Sequence, residues 1–234
     1  MFNIASLKTR YIKMLYRIAL LPPFRPAVYS RQPFVRYPYM YEPSHVIALN
    51  DLLLSIQVPG AALEVGCHQG WTACWLLEAL REAGINRPYH CLDTFTGFLA
   101  EDVAVEVNDR GQAPGAIAEY SASFAVNDQR WLDESLRRCG YTNVTTHKAD
   151  ASTFDYSSIG PIAFALIDVN LYRPVKLSLQ LVLPCVVKGG LIVVDDCDPK
   201  HALGDGPFQA YTEICRENGL SAEILGGKLG VIRI

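Results

Sequence analysis

Six carboxylates stand at the ends of apolar runs in this chain: Glu64, Asp93, Asp150, Asp168 and the adjacent pair Asp195 and Asp196. Acids so placed are delivered to the carboxyl ends of parallel strands, the edge where open α/β sheets bind ligands. Glu64 opens a turn, Glu-Val-Gly-Cys-His-Gln-Gly, whose Gly66 and Gly70 let backbone approach a ligand closely. The helix expected after that turn offers free N–H groups to a carboxylate or phosphate. Asp93 can accept hydrogen bonds from both hydroxyls of a ribose, or else cap a turn. Asp150 can accept from an adenine amino group, or equally close its own turn, as Asp commonly does. Asp168, Asp195 and Asp196 repel one another unless a cation or proton intervenes. Hard oxygen donors suit Mg²⁺ or Ca²⁺ better than zinc; the plainer alternative is that Asp195 and Asp196 cap the following loop. His201 is a candidate base or substrate contact and, equally, a solvated loop histidine. His68, inside the glycine turn, reads as structural.

These residues need a scaffold, and the pattern of the chain supplies one. Ser44 is a suitable N-cap for a helix to about Ile56. The strand Ala61–Cys67 then precedes the helix Trp71–Ala83, and the strand Tyr89–Phe95 follows. A helix is expected over Ser121–Cys139, then the strand Asn143–Ala149. The strand Ile162–Val169 precedes the helix Arg173–Val187, with Pro174 in its first turn. The strand Leu191–Asp195 precedes the helix Pro207–Asn218. Ala222–Leu225 and Leu229–Ile234 flank Gly226-Gly227-Lys228 as a hairpin. Such alternation predicts an α/β fold of Rossmann-like type: a mostly parallel seven-stranded sheet, an antiparallel last strand at its edge, and helices on both faces. The stretch 96–120, rich in Gly, Pro and acid, is expected to be a loop, either a functional lid or disordered. The spacing of Gly66 and Gly70 differs from the G-x-G-x-x-G of dinucleotide sites.

The composition, 50% hydrophobic and 19% charged, suits a globular domain. The net charge of −3 hides an asymmetry. Met1 to Tyr41 carries seven Lys and Arg and no acid, so the remainder is strongly acidic. Residues 1–43 therefore form a distinct basic segment before a domain at 44–234. Its first part, Phe2 to Leu21, has apolar positions at helical spacing with Lys and Arg between them. That pattern fits either peripheral contact with a membrane surface or packing on a partner or on the body itself. Pro22 to Pro43 holds six prolines and six Tyr or Phe, which excludes regular helix. It is either a linker or, as the cost of leaving Tyr37, Tyr39 and Tyr41 in water favours, an aromatic arm folded over the site. Seven cysteines without a C-x-x-C pair point to reduced thiols in a cytoplasmic protein. No apolar run reaches the roughly 18 residues that a membrane span requires. The acidic body repels phosphates, which argues against a nucleic-acid substrate.

The Glu-x-Gly-x-x-x-Gly turn resembles motif I of class I methyltransferases that use S-adenosylmethionine (SAM). From about Leu63 onward the chain is similar to the macrocin O-methyltransferase family of Mg²⁺-dependent sugar O-methyltransferases. The segment Leu92-Asp93-Thr-Phe-Thr-Gly97-Phe98 is similar to that family's Asp-Ser-Phe-Glu-Gly. Leu166-Ile-Asp168-Val-Asn-Leu-Tyr172 resembles its Leu-Asp-x-Asp-Leu-Tyr, with Asn170 in place of the second Asp. Gly189-Gly190-Leu-Ile-Val-Val-Asp195-Asp196 resembles its Gly-Gly-x-x-x-x-Asp-Asp. The resemblance implies that Glu64, Gly66 and Asp93 hold SAM, with Gly70 and Asp150 as further cofactor candidates from the turn and strand-end readings above. It implies that Asp168, Asp195 and Asp196 bind Mg²⁺ and that Asp168 serves as base. The expected partner is a small-molecule hydroxyl acceptor, a sugar or glycosylated natural product, and the expected assembly is a homodimer or higher homo-oligomer. A catechol or phenol O-methyltransferase and a non-catalytic SAM-binding scaffold are the alternatives.

Overall fold

The structure, a computed structural model, describes Met14, residues 41–200 and residues 205–234. The expected helix over Phe2–Leu21, most of the aromatic arm, and His201 lie outside the described residues. In chain order the elements are α1 (Pro43–Leu54), β1 (Ala61–Val65), α2 (Trp71–Glu82), β2 (Tyr89–Asp93), α3 (Ala100–Asn108), α4 (Pro114–Phe124), α5 (Gln129–Cys139), β3 (Val144–Lys148), β4 (Ile162–Ile167), α6 (Tyr172–Val182), β5 (Val186–Val194), α7 (Asp205–Glu217), β6 (Glu223–Leu225) and β7 (Leu229–Arg233).

The described residues form a seven-stranded sheet in the order β3-β2-β1-β4-β5-β7-β6, with the first five strands parallel. Successive strand residues point to opposite faces, and here both faces are apolar. Ala62, Phe164, Leu166, Leu191 and Val193 pack under α1, α2 and α5. Leu63, Val65, Ala165, Ile167 and Ile192 pack under α6 and α7. Val65 pairs with Leu92 and Ile167, and Ile167 with Val194, so four strands end at one level. That register sets Gly66, Asp93, Asp168 and Asp195 along a single edge.

Several expectations are corrected. Glu42 precedes the first turn of α1, and Pro43 rather than Ser44 begins it; the missing N–H of proline costs nothing there. Helix α6 stops at Val182, a short 3₁₀ turn carries Pro184, and β5 starts at Val186 rather than Leu191. Proline cannot donate the helical bond that would continue α6. Strand β7 is antiparallel as expected, but it lies between β5 and β6, so β6 is the edge strand. The expected loop 96–120 contains α3 and most of α4, and the expected helix 121–139 is broken between Phe124 and Gln129.

The reason α3 escapes hydrophobic periodicity is that its buried face is polar. Asp102 and Glu106, one helical turn apart, are buried. Arg173 donates to Asp102 at 2.5 Å, the Tyr172 N–H donates to Glu106 at 2.8 Å, and Arg110 donates to Glu106 at 2.9 Å. The segment is thus fastened to the start of α6 by charge-assisted hydrogen bonds. No helix among the described residues is long and apolar enough to cross a membrane.

Candidate functional site

Two glycines with positive φ shape the turn after β1. Gly66 has φ +93°, and its N–H donates to the Leu92 carbonyl at 2.7 Å. Gly70, at φ +78°, is the N-cap of α2, and a Cβ there would stand 2.1 Å from Leu132 Cδ1. Glu64, 2% exposed, accepts from the Tyr89 hydroxyl at 2.7 Å. Burial raises its carboxyl to about 7, against the Tyr89 hydrogen bond that favours the charged form.

Asp93 organises the next layer. Its Oδ2 accepts from the His68 N–H at 2.8 Å, and its Oδ1 accepts from the Phe95 N–H at 2.7 Å and Asn127 Nδ2 at 3.1 Å. His68 and Phe95 have φ of 45° and 51°. Asn170 and Asp196, at 64° and 57°, complete the non-glycine residues with positive φ among those described. One follows each of β1, β2, β4 and β5. Left-handed backbone of this kind is costly for non-glycine residues and gathers at functional sites.

A cavity of about 320 Å³ opens at this edge, within the range usual for small-molecule sites. Glu64, Gly66, Asp93, Asp150 and Asp168 line it; Gly70 does not, and acts instead by starting α2. Asp150 accepts from the Ser152 N–H at 2.8 Å and the Thr153 hydroxyl at 3.3 Å, so it closes its own turn while facing the cavity. The outer wall is aromatic. Phe98 and Phe124 stack at 5.1 Å, Tyr120 meets both edge-on, and His68 meets Phe124 at 5.6 Å. The Tyr120 hydroxyl donates to Asn170 Oδ1 at 2.9 Å. Asn is among the residues that tolerate left-handed backbone, which suits position 170.

Asp168, Asp195 and Asp196 do come together, and the cation among them is a side chain. Lys228 Nζ lies 3.0 Å from Asp195 Oδ2 and pairs also with Asp196 Oδ1. Its ammonium sits 5.2 Å from the centre of the Tyr41 ring. The Tyr41 hydroxyl donates to Asp168 Oδ2 at 3.0 Å, which sets this one described residue of the expected arm against the acids. Burial, then the charges of Asp195 and Asp196, hold the Asp168 carboxyl well above its usual range. Burial and Asp196 raise Asp195 to about 6. Burial disfavours the Lys228 ammonium, but Asp195 and Asp196 outweigh this and hold it charged.

The implied Mg²⁺ meets a mixed answer here. The donor chemistry fits: three hard carboxylates, with Asp195 Oδ1 buried and lacking a hydrogen-bond partner. The arrangement, however, is closed around Lys228 and Tyr41, and no three His, Cys, Asp or Glu side chains among the described residues stand ready to hold a metal. Lys176, on α6, is engaged elsewhere with Glu213 at 2.6 Å. Tyr120, Asn127 and Lys228 were not marked by the motifs. Lys228 carried only a hairpin signal, and its partners are 32 and 33 residues away in sequence.

No curated protein matches the chain. Among solved structures, the O-methyltransferase NovP superposes with a TM-score of 0.67 at 17% identity, over 81% of this chain and 79% of that one. The calicheamicin methyltransferase CalS11 superposes with a TM-score of 0.65 at 23% identity, over 97% and 91%. An apo structure of CalS11, described as a TDP-rhamnose 3'-O-methyltransferase, gives 0.54 at 20%, over 97% and 93%. These similarities carry the fold. The family model described as a methyltransferase domain matches residues 63–197, the stretch from β1 to the end of the acidic pair. That match spans more than half of the 234 residues, so the chain belongs to the methyltransferase-domain family and is a SAM-dependent methyltransferase.

Proposed function

We propose that this enzyme transfers the SAM methyl group to a hydroxyl of a small molecule, and that the acceptor is a sugar or a glycosylated natural product. The observation that carries the O-methyl reading is Asp168: a partly buried carboxylate at the cavity wall, beside two further carboxylates and one phenol hydroxyl. The class of acceptor is supported by the neighbours, of which NovP is an O-methyltransferase and CalS11 a TDP-rhamnose 3'-O-methyltransferase.

In this reading the Gly66 turn lets backbone approach SAM, and Glu64 braces the turn from behind through Tyr89. Asp93 faces the ribose. Two of its oxygens already take three bonds, and a carboxylate has about four lone-pair sites, so it serves one ribose hydroxyl rather than both. Asp150 borders the adenine end. Phe98, Tyr120 and Phe124 exclude water from the reacting atoms. The acceptor oxygen attacks the methyl carbon in line, the C–S bond breaks, and S-adenosylhomocysteine leaves. The hydroxyl proton goes to Asp168. Lys228 and the Tyr41 hydroxyl lower the Asp168 carboxyl without cancelling the rise that burial, Asp195 and Asp196 impose, so further positive charge beside those acids would be needed for it to ionise and accept that proton. Asp168, Asp195 and Asp196 are the residues that would hold Mg²⁺, which when bound supplies positive charge that stabilises the acceptor oxygen as its proton departs.

The test is an acceptor screen with methyl-labelled SAM, read by mass spectrometry, over nucleotide sugars, glycosides and catechols. Label on a sugar hydroxyl is the expected result. Label only on catechols moves the acceptor to the phenol class. SAM binding without label on any of them overturns the assignment of a sugar or glycoside acceptor.

A further inference from the structure

We propose that Lys228 is a resident counter-ion which a divalent cation must displace, so that Asp195 and Asp196 hold either its ammonium or the metal. The inference rests on the reading of Asp168, Asp195 and Asp196 as metal ligands and adds a competitor built into the chain.

The ammonium is placed between the two acids, 3.0 Å from Asp195 Oδ2 and paired with Asp196 Oδ1. All three side chains are mostly buried, at 20%, 7% and 14% exposed. A cation entering among the same oxygens would meet an unscreened like charge at ion-pair distance. The pairing is also incomplete. Asp195 Oδ1 is buried with no hydrogen-bond partner, an acceptor that Lys228 leaves unused. A buried unpaired carboxylate oxygen is a site that a further cation would satisfy.

The means of exchange is local. The backbone of Lys228 is fixed, because its carbonyl accepts from the Cys197 N–H at 2.6 Å and its N–H donates to the Leu225 carbonyl at 3.1 Å. The flexible four-carbon stem is not so fixed, and rotation about its bonds can move the charge away from the acids. Tyr41 is coupled to the movement. Its ring lies on the ammonium and its hydroxyl on Asp168, so the centre without metal is partly compensated by one positive charge and covered by the phenol.

The experiment titrates Mn²⁺ into the full-length protein, followed by electron paramagnetic resonance of the free ion, for wild type, Lys228→Met and Asp196→Asn. The expected result is Mn²⁺ binding at least about tenfold tighter in Lys228→Met, through loss of a competing charge, and weaker in Asp196→Asn. Without metal, Lys228→Met should also melt at least about 3 °C below wild type, and millimolar Mg²⁺ should restore the loss. Equal or weaker Mn²⁺ binding in Lys228→Met, or no binding by either protein, overturns the proposal. If Lys228→Met does not fold, Lys228→Gln makes the same comparison. Calorimetric titration of SAM into the same samples separates the two readings. Absent SAM binding in wild type counts against the cofactor cavity, while the Mn²⁺ comparison alone decides the role of Lys228.

Discussion

Gly66 lies so close to the backbone of Asp168 that a Cβ on it would stand 1.8 Å from the Asp168 carbonyl oxygen. The turn proposed to receive the cofactor and the strand end that carries the proposed base are therefore one packed unit. Gly66→Ala forces that carbonyl aside and also strains φ at +93°. The expected loss is ~3 kcal/mol of stability or failure to fold, seen as a large fall in melting temperature with loss of SAM binding. A variant that melts and binds like wild type would show that the two backbones are not in this contact.

Asp168→Asn keeps the shape of the side chain and removes its capacity to take a proton. Turnover should fall by about 10²–10⁴, the usual contribution of a positioned general base, while the SAM dissociation constant stays within about threefold. Isothermal titration alongside a turnover assay checks both. Weakened SAM binding of the same size as the loss in turnover would assign Asp168 to cofactor binding instead.

Asp93→Ala frees the His68 and Phe95 N–H groups and Asn127 together. Buried donors left without partners cost about 1–3 kcal/mol each, and two of these sit on left-handed backbone that the carboxylate holds in place. SAM affinity should drop by about 10- to 100-fold, as measured by calorimetry. Asn127→Ala, which removes one of the three bonds, should give a smaller loss.

Glu64 keeps its proton to about pH 7 in the folded chain, against a reference of 4.5 in the unfolded one. Between those values the folded state binds more protons, so stability falls as pH rises from 4.5 to 7 and is flat for this group above that. Glu64→Gln should remove on the order of 3 kcal/mol of that pH-dependent loss. Urea unfolding of both proteins at pH 4.5, 6 and 8 measures it. Parallel pH profiles would mean that Glu64 is not desolvated.

Much of this protein was determined locally. The apolar runs of β1, β2, β4 and β5 carry their own strand signal, and an acid stands within or just after each, so the placing of Glu64, Asp93, Asp168 and Asp195 at strand ends could be read from spacing alone. The Gly66 turn was equally legible, because glycine marks backbone that other residues resist. What the sequence did not show depends on contacts between distant residues. Helix α3 hid behind its buried acids, since its stability comes from Arg173 and the Tyr172 N–H, not from an apolar stripe. The place of β7 between β5 and β6 is a choice of pairing that a hairpin pattern leaves open. The left-handed His68 and Phe95 are held by Asp93, a constraint visible only once the strand ends meet. Tyr41 and Asp168 are 127 residues apart in the chain, and Lys228 reaches the acids only because the hairpin folds back under them. Local propensity reports what a segment prefers alone; which charges share a buried site is decided when the sheet closes and water leaves.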